Sequence, residues 1–270
     1  MHVVQANGAE IPAVGLGTWL SPGEACRGAV AAALECGYRH IDTAQLYGNE
    51  AWVGAALADS AVARDEVFLT TKVRRDLLRP DQVAASVEGS LQRLGTHIDL
   101  LLIHWPSRSI PVADTLGAMQ RFVERGDVTH LGVSNFTAAQ VREAAIHAKL
   151  VCNQVEYHPY LAQRAVKAAC DGLGMALVAY SPLAHGHLLR EPVLDEIGRA
   201  HGRSAAQVAL AWLIGQPGVA AIPKSTNPGR IRQNLAVDFA LTGEERARID
   251  ALARGLRTCA PPFSPDWDPS

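Results

Sequence analysis

Asp99-Leu-Leu-Leu-Ile-His-Trp105 is an apolar run with no alternation until it reaches a histidine. A strand with one wet face alternates polar and apolar residues. An unbroken run belongs to a strand covered on both faces, as in a parallel sheet layered with helices. Val67-Phe-Leu-Thr-Thr-Lys-Val73 and Ala176-Leu-Val-Ala-Tyr180 read the same way. Working outward from these runs gives eight strand candidates: Val14–Gly17, His40–Thr43, Val67–Val73, Ile98–Trp105, His130–Ser134, Val151–Val155, Ala176–Ser181 and Val219–Ser225.

Helices fill the gaps, and the sequence marks their starts. Ser21-Pro-Gly-Glu24 aligns a capping serine, a proline in the first turn and a reciprocal glutamate. Thr137 with Gln140, Ser204 with Gln207 and Thr242 with Glu245 form the same box. Between Pro80 and Gly95, Val83, Val87, Leu91 and Leu94 share one helical face, and Gly95 and Gly37 are natural terminators. Eight strands separated by helices predict an α/β fold, a (β/α)₈ TIM barrel. Asn7-Gly8, between two short apolar stretches, predicts a type I′ hairpin that closes the barrel floor. Gly15-Leu-Gly17 begins a dinucleotide fingerprint, but Leu20 stands at the third glycine, so a doubly wound sheet is rejected. No linker or repeat divides the chain, which reads as one domain over 1–270 with an irregular, proline-rich tail from Ala260 to Ser270.

The formal charge is -2, from 25 Lys and Arg against 27 Asp and Glu, which gives no electrostatic case for nucleic acid or an acidic membrane. No apolar run approaches the roughly 18 residues of a membrane span, and the N-terminus carries no signal-peptide pattern. The five cysteines lack metal or disulfide spacing. They read as reduced thiols of a cytoplasmic protein, with no metal expected.

In such barrels the chemistry sits at the C-terminal ends of the strands. Those positions hold Asp42 and Tyr47 after the second strand, Lys72 on the third and His104 after the fourth. A lone ammonium in an apolar strand needs a partner, and Asp42 stands one strand away. A tyrosine beside that pair is expected to have its pKa pulled below the usual 10 or so, which makes it a general acid, with His104 orienting a carbonyl oxygen. Singly, each residue has a structural reading. Asp42 could cap a turn, Tyr47 could be a half-buried aromatic, His104 a satisfied core histidine, and Lys72 a stem reaching water. Their convergence on consecutive strands favours catalysis.

Gly37-Tyr-Arg-His-Ile-Asp-Thr-Ala-Gln-Leu-Tyr-Gly-Asn-Glu50 resembles the signature of the aldo-keto reductases. The resemblance continues through Leu69–Lys72, Leu102–Pro106, Gly132–Phe136, Asn153–Tyr157, Ala179–Leu183 and Ile222–Ser225. The ending Ser264-Pro-Asp-Trp-Asp268 is similar to the bacterial 2,5-diketo-D-gluconate reductase B branch, which also reduces methylglyoxal. The resemblance implies an NADPH-dependent, monomeric carbonyl reductase acting on small molecules, with Tyr47 as acid, Lys72 and Asp42 tuning it and His104 placing the carbonyl. It implies cofactor contacts from Gly17, Thr18, Trp19 and Asp42; from Ser134, Asn135 and Gln154 around the nicotinamide amide; and from Tyr180 on its ring. Ser181, Leu183 and Gly186 would follow the pyrophosphate. Lys224, Ser225, Thr226 and Arg230 would surround the 2′-phosphate, with Gln233 and Asn234 near the adenine. An electrostatic argument points the same way, because Lys224 and Arg230 bracket a helix N-terminus, where an anion is favoured.

Trp19, Tyr47, Arg74, His104 and Trp105 are the expected substrate contacts, joined by Gln45 and, from the tail, Trp267. Arg74 departs from the tryptophan common in related bacterial reductases, and is expected to favour substrates bearing a carboxylate. Two other functions compete. Lys72 could form a Schiff base, as in aldolases; against that, Asp42 would keep it charged. The chain could also be a non-catalytic cofactor-binding subunit, a reading that the intact Asp42, Tyr47, Lys72 and His104 set opposes.

Overall fold

The computed structural model describes residues 2–269; Met1 and Ser270, the ends of the expected domain and tail, lie outside the described residues. The chain opens with a hairpin of strands β1 (Val3–Ala6) and β2 (Ala9–Pro12), paired antiparallel. Its turn is Asn7-Gly8, both with positive φ (47° and 89°), as a type I′ turn requires. The Asn7 amide donates to the carbonyls of Leu150 and Leu173, at the entry ends of two barrel strands, which fixes the hairpin on the barrel floor.

Eight parallel strands follow: β3 (Leu16–Gly17), β4 (His40–Asp42), β5 (Phe68–Val73), β6 (Ile98–Ile103), β7 (Val128–Ser134), β8 (Leu150–Glu156), β9 (Ala176–Tyr180) and β10 (Val219–Ala221). All eight predicted strands are present. They pair in sequence order, and parallel bridges Val14–Ala221 and Gly17–Lys224 join the first to the last. At that seam Gly17 passes so close to β10 that a Cβ on it would lie 2.8 Å from the Ile222 carbonyl oxygen, so a side chain is excluded.

Helices α1 (Gly23–Glu35), α2 (Glu50–Ala58), α3 (Pro80–Leu94), α4 (Val112–Arg125), α5 (Ala138–His147) and α6 (Arg164–Gly172) each connect successive strands. Two helices, α7 (Pro192–His201) and α8 (Ala205–Ile214), connect β9 to β10, and α9 (Pro228–Leu235) and α10 (Gly243–Asp250) complete the chain. The boxes at Thr137, Ser204 and Thr242 form as predicted, each with both reciprocal bonds. The Ser21 cap does not form. Helix α1 is entered from Pro22 without a side-chain cap, and the Ser21 hydroxyl is buried with no partner. The chain turns at Leu20 (φ 54°), and the Ser21 carbonyl is taken by the Asn49 amide.

The sheet is buried on both faces, as the apolar runs require: Leu100, Leu101, Leu102 and Ile103 are all at most 1% exposed. The tail after α10 carries no helix or strand through residue 269 and lies over the C-terminal mouth of the barrel.

Candidate active site

Asp42 ends β4, Lys72 lies near the end of β5, and His104 directly follows β6, so three neighbouring strands deliver their side chains to one rim. Tyr47 reaches the same place from a single 3₁₀ turn, Gln45–Tyr47. The Lys72 ammonium is fully buried and spends its three donors on the Asp42 carboxylate (2.5 Å), the Thr43 carbonyl (2.9 Å) and the Tyr47 hydroxyl (3.4 Å). The other Asp42 oxygen accepts from the Gln154 amide at 2.6 Å. Every polar atom of the buried pair is therefore matched, which such a pair needs in order not to destabilise the fold.

Burial disfavours the charged form of Lys72, but Asp42 and Tyr47 outweigh it, and its pKa is raised. An ammonium held this way is no nucleophile, which removes the Schiff-base reading. For Tyr47 the expected direction is reversed. Burial dominates and raises the hydroxyl above 10, with Lys72 pulling the other way. The phenol therefore keeps its proton at neutral pH. His104 is buried and pushed down to about 3 by desolvation, reinforced by the Lys72 charge, so its ring is neutral. The Tyr47 ring lies edge-on between Trp19 (4.9 Å) and His104 (5.7 Å).

Asn49, 1% exposed, braces this turn. Its amide donates to the Thr18 and Ser21 carbonyls and its oxygen accepts from Thr43, so it ties the Trp19 loop to the residue that binds Lys72. Glu50 similarly receives Thr71 and Arg93.

Beside Asp42, the Tyr180, Asn135 and Ser134 side chains form one hydrogen-bonded chain that ends on the Gln154 backbone carbonyl. Ser134 donates to the Gln154 carbonyl, Asn135 to the His104 carbonyl and to Ser134, and Tyr180 to the Asn135 oxygen. Thr18 binds the Asp42 carbonyl through both its amide and hydroxyl. In the loop after β9, Ser181, Ala184 and His185 all take positive φ (45°, 48° and 51°), as does Gly186 (91°). Non-glycine residues there are strained, and such strain collects at binding loops. After β10, Ser225 bonds within its own turn and Asn227 caps α9 at Arg230. Thr226 and Gln233 are exposed, and Asn234 is buried. Lys224 and Arg230 are exposed and enter no ion pair among the described residues. Free cations at a helix N-terminus fit a phosphate, so the donor set suits a dinucleotide.

The expected substrate wall is assembled in part. Trp105 packs against Phe263 (5.3 Å) and Trp267 (6.2 Å) of the tail. Gln45 is spent on structure, its amide on Ser86 and Ser90 and its oxygen on the Arg74 amide. The Arg74 guanidinium is forked by Asp76 at 3.0 and 2.8 Å.

Sequence reading missed Glu156, which ends β8 with a fully buried carboxylate. It accepts from the Thr258 amide and hydroxyl, the Cys259 amide and the His158 ring. Burial opposes its ionisation, but these donors prevail and hold it down at about 2. A carboxylate at the end of an apolar strand was the available signal, the same one that marks Lys72.

Residues 13–254 match the model of the aldo/keto reductase family. An aldo-keto reductase of Mycolicibacterium smegmatis is 42% identical over 93% of both chains. A glyoxal reductase of Bacillus subtilis is 41% identical over 93% of this chain and 92% of its own. The crystal structure of a protein assigned as 2,5-diketo-D-gluconic acid reductase B superposes with a TM-score of 0.97 at 46% identity, covering 100% of this chain and 98% of its own.

Proposed function

This chain belongs to the aldo/keto reductase family, whose members reduce carbonyls with nicotinamide cofactors, and from that premise we propose that it is an NADPH-dependent reductase of small 2-oxoaldehydes and keto-sugar acids. The observation that carries this reading is the buried Asp42–Lys72–Tyr47 chain opposite a neutral His104.

When bound, the cofactor supplies a hydride to the carbonyl carbon. The protein supplies the proton and the geometry. Tyr47, protonated at neutral pH, gives its hydroxyl proton to the developing alkoxide. Lys72 then faces the phenolate, and its charge, fixed by Asp42 and the Thr43 carbonyl, stabilises that anion where it forms. His104 holds the carbonyl oxygen. Its Nδ1 is buried without a partner, so we assign the ring proton to Nε2, which avoids an orphaned N–H and leaves Nε2 as the donor. Asn135, Ser134 and Gln154 would hold the nicotinamide amide, with Tyr180 against its ring. Lys224 and Arg230 favour NADPH over NADH because the 2′-phosphate adds an anion where both cations stand unpaired.

Methylglyoxal and 2,5-diketo-D-gluconate are the proposed substrates, by likeness to the glyoxal reductase and to the reductase B structure. All five cysteines are free thiols, which fits a reducing, cytoplasmic setting. The test is NADPH oxidation with each carbonyl. Turnover of either supports the reading; tight NADPH binding with no turnover of any 2-oxoaldehyde or keto acid favours a cofactor-binding subunit and overturns it.

A further inference from the structure

We propose that Arg257, in the tail, is the residue that selects carbonyl substrates bearing a carboxylate, an inference that rests on the reductase reading above. The sequence points to Arg74 for this role, but the Asp76 fork already satisfies that guanidinium.

Arg257 differs in three ways. The first is position. Its guanidinium lies 3.8 Å over the Trp267 ring, and Trp267 packs on Trp105, the residue after His104. The second is rigidity. Thr258 and Cys259, the next two residues, are pinned to the buried Glu156 carboxylate. Glu156 fills its acceptor bonds with those donors and His158, so it fixes the arginine's backbone without accepting from its side chain.

The third is an unmet demand. Arg257 makes no hydrogen bond or ion pair to any described residue, and its Nη1 is buried without a partner. A guanidinium carries five donors in a fork shaped for a carboxylate, and leaving a buried donor unpaired is unfavourable. A half-buried, pre-positioned fork without an acceptor from the chain is matched by an anionic group on the ligand. The other cations nearby are unsuited. Arg75 is exposed over Phe263, and Arg108 is exposed and bonded to the Ser264 carbonyl.

The experiment compares 4-carboxybenzaldehyde with 4-nitrobenzaldehyde, which have nearly the same shape and differ in charge. Wild type, Arg257→Met, Arg257→Lys and Arg74→Met are assayed with NADPH. In Arg257→Met the acid-to-neutral ratio of kcat/KM falls about ten- to a hundredfold, through KM, as expected for losing bonds to a charged group. Arg257→Lys recovers part of it, and Arg74→Met keeps the wild-type ratio. An unchanged ratio in Arg257→Met, a fall in Arg74→Met instead, or a weakened NADPH Kd that accounts for the loss would overturn the proposal. Titration of both aldehydes by tryptophan fluorescence separates the two layers. Failure of the reductase reading appears as no NADPH oxidation by wild type with either aldehyde. Failure of this proposal appears as equal affinity of wild type and Arg257→Met for the acid.

Discussion

The Asp42–Lys72 pair and the Lys224–Arg230 pair place cations at the same end of the barrel under opposite conditions. Lys72 is 0% exposed with three acceptors already in place. Lys224 and Arg230 lie in water with no ionic partner among the described residues. A buried charge must be satisfied by the fold itself, so its geometry is preset before any ligand arrives. An exposed cation pays little for being unpaired and can wait for a phosphate. We propose that the first pair changes a proton's affinity and the second a ligand's.

Breaking the buried pair should have the largest effect. Lys72→Met leaves Asp42 charged and unpaired against Gln154, and should cost about 3–5 kcal/mol of folding stability in urea titrations as well as nearly all turnover. A stability loss below about 1 kcal/mol would mean that the pair is solvated and the contrast is false. Removing both exposed cations, Lys224→Ala with Arg230→Ala, should leave urea stability within about 0.5 kcal/mol. The same variant should weaken NADPH by about 10–150-fold for each lost charge-assisted bond, with NADH little affected. Equal losses for the two cofactors would detach these residues from the 2′-phosphate.

The smallest expected effect is a flat pH response. His104 falls to about 3 from an ordinary 6.5, so reductive kcat should show no inflection near pH 6.5, and activity should decline only on the alkaline side as the raised Tyr47 hydroxyl loses its proton. The linked stability has a definite sign. Between the two His104 values the unfolded chain binds the extra proton, so stability is complete above 6.5 and is lost as pH falls toward 3. Glu156 acts in the same direction lower down, its contribution disappearing between 4.5 and about 2. A kcat inflection near 6.5 would contradict a neutral, buried His104.

What the sequence revealed follows the same division. Strands buried on both faces announce themselves as unbroken apolar runs, and a lysine inside one demands explanation, so β5 and Lys72 were legible together. Thr137, Ser204 and Thr242 were legible because a capping box closes within four residues. Ser21 had the same local pattern, yet its carbonyl is claimed by Asn49, 28 positions away in the chain. Local spacing cannot report a competitor from another loop. Arg74 shows a similar gap, since its charge is legible in the sequence and its fork with Asp76 is not. The Glu156 clamp joins residues 102 and 103 positions apart, and only the folded tail brings them together. The Tyr47 shift depended on depth: Lys72 was in view, but the burial that outweighs it was not.

In the proposed mechanism Tyr47 donates the proton from a site whose bonds are in place before any ligand arrives. Its most direct test is Tyr47→Phe, with NADPH binding and methylglyoxal turnover measured on the same preparation. The expected result is an unchanged NADPH Kd with kcat reduced by about 10²–10⁴-fold, the usual contribution of a general acid. Turnover within a few-fold of wild type would contradict it and hand the proton to another group.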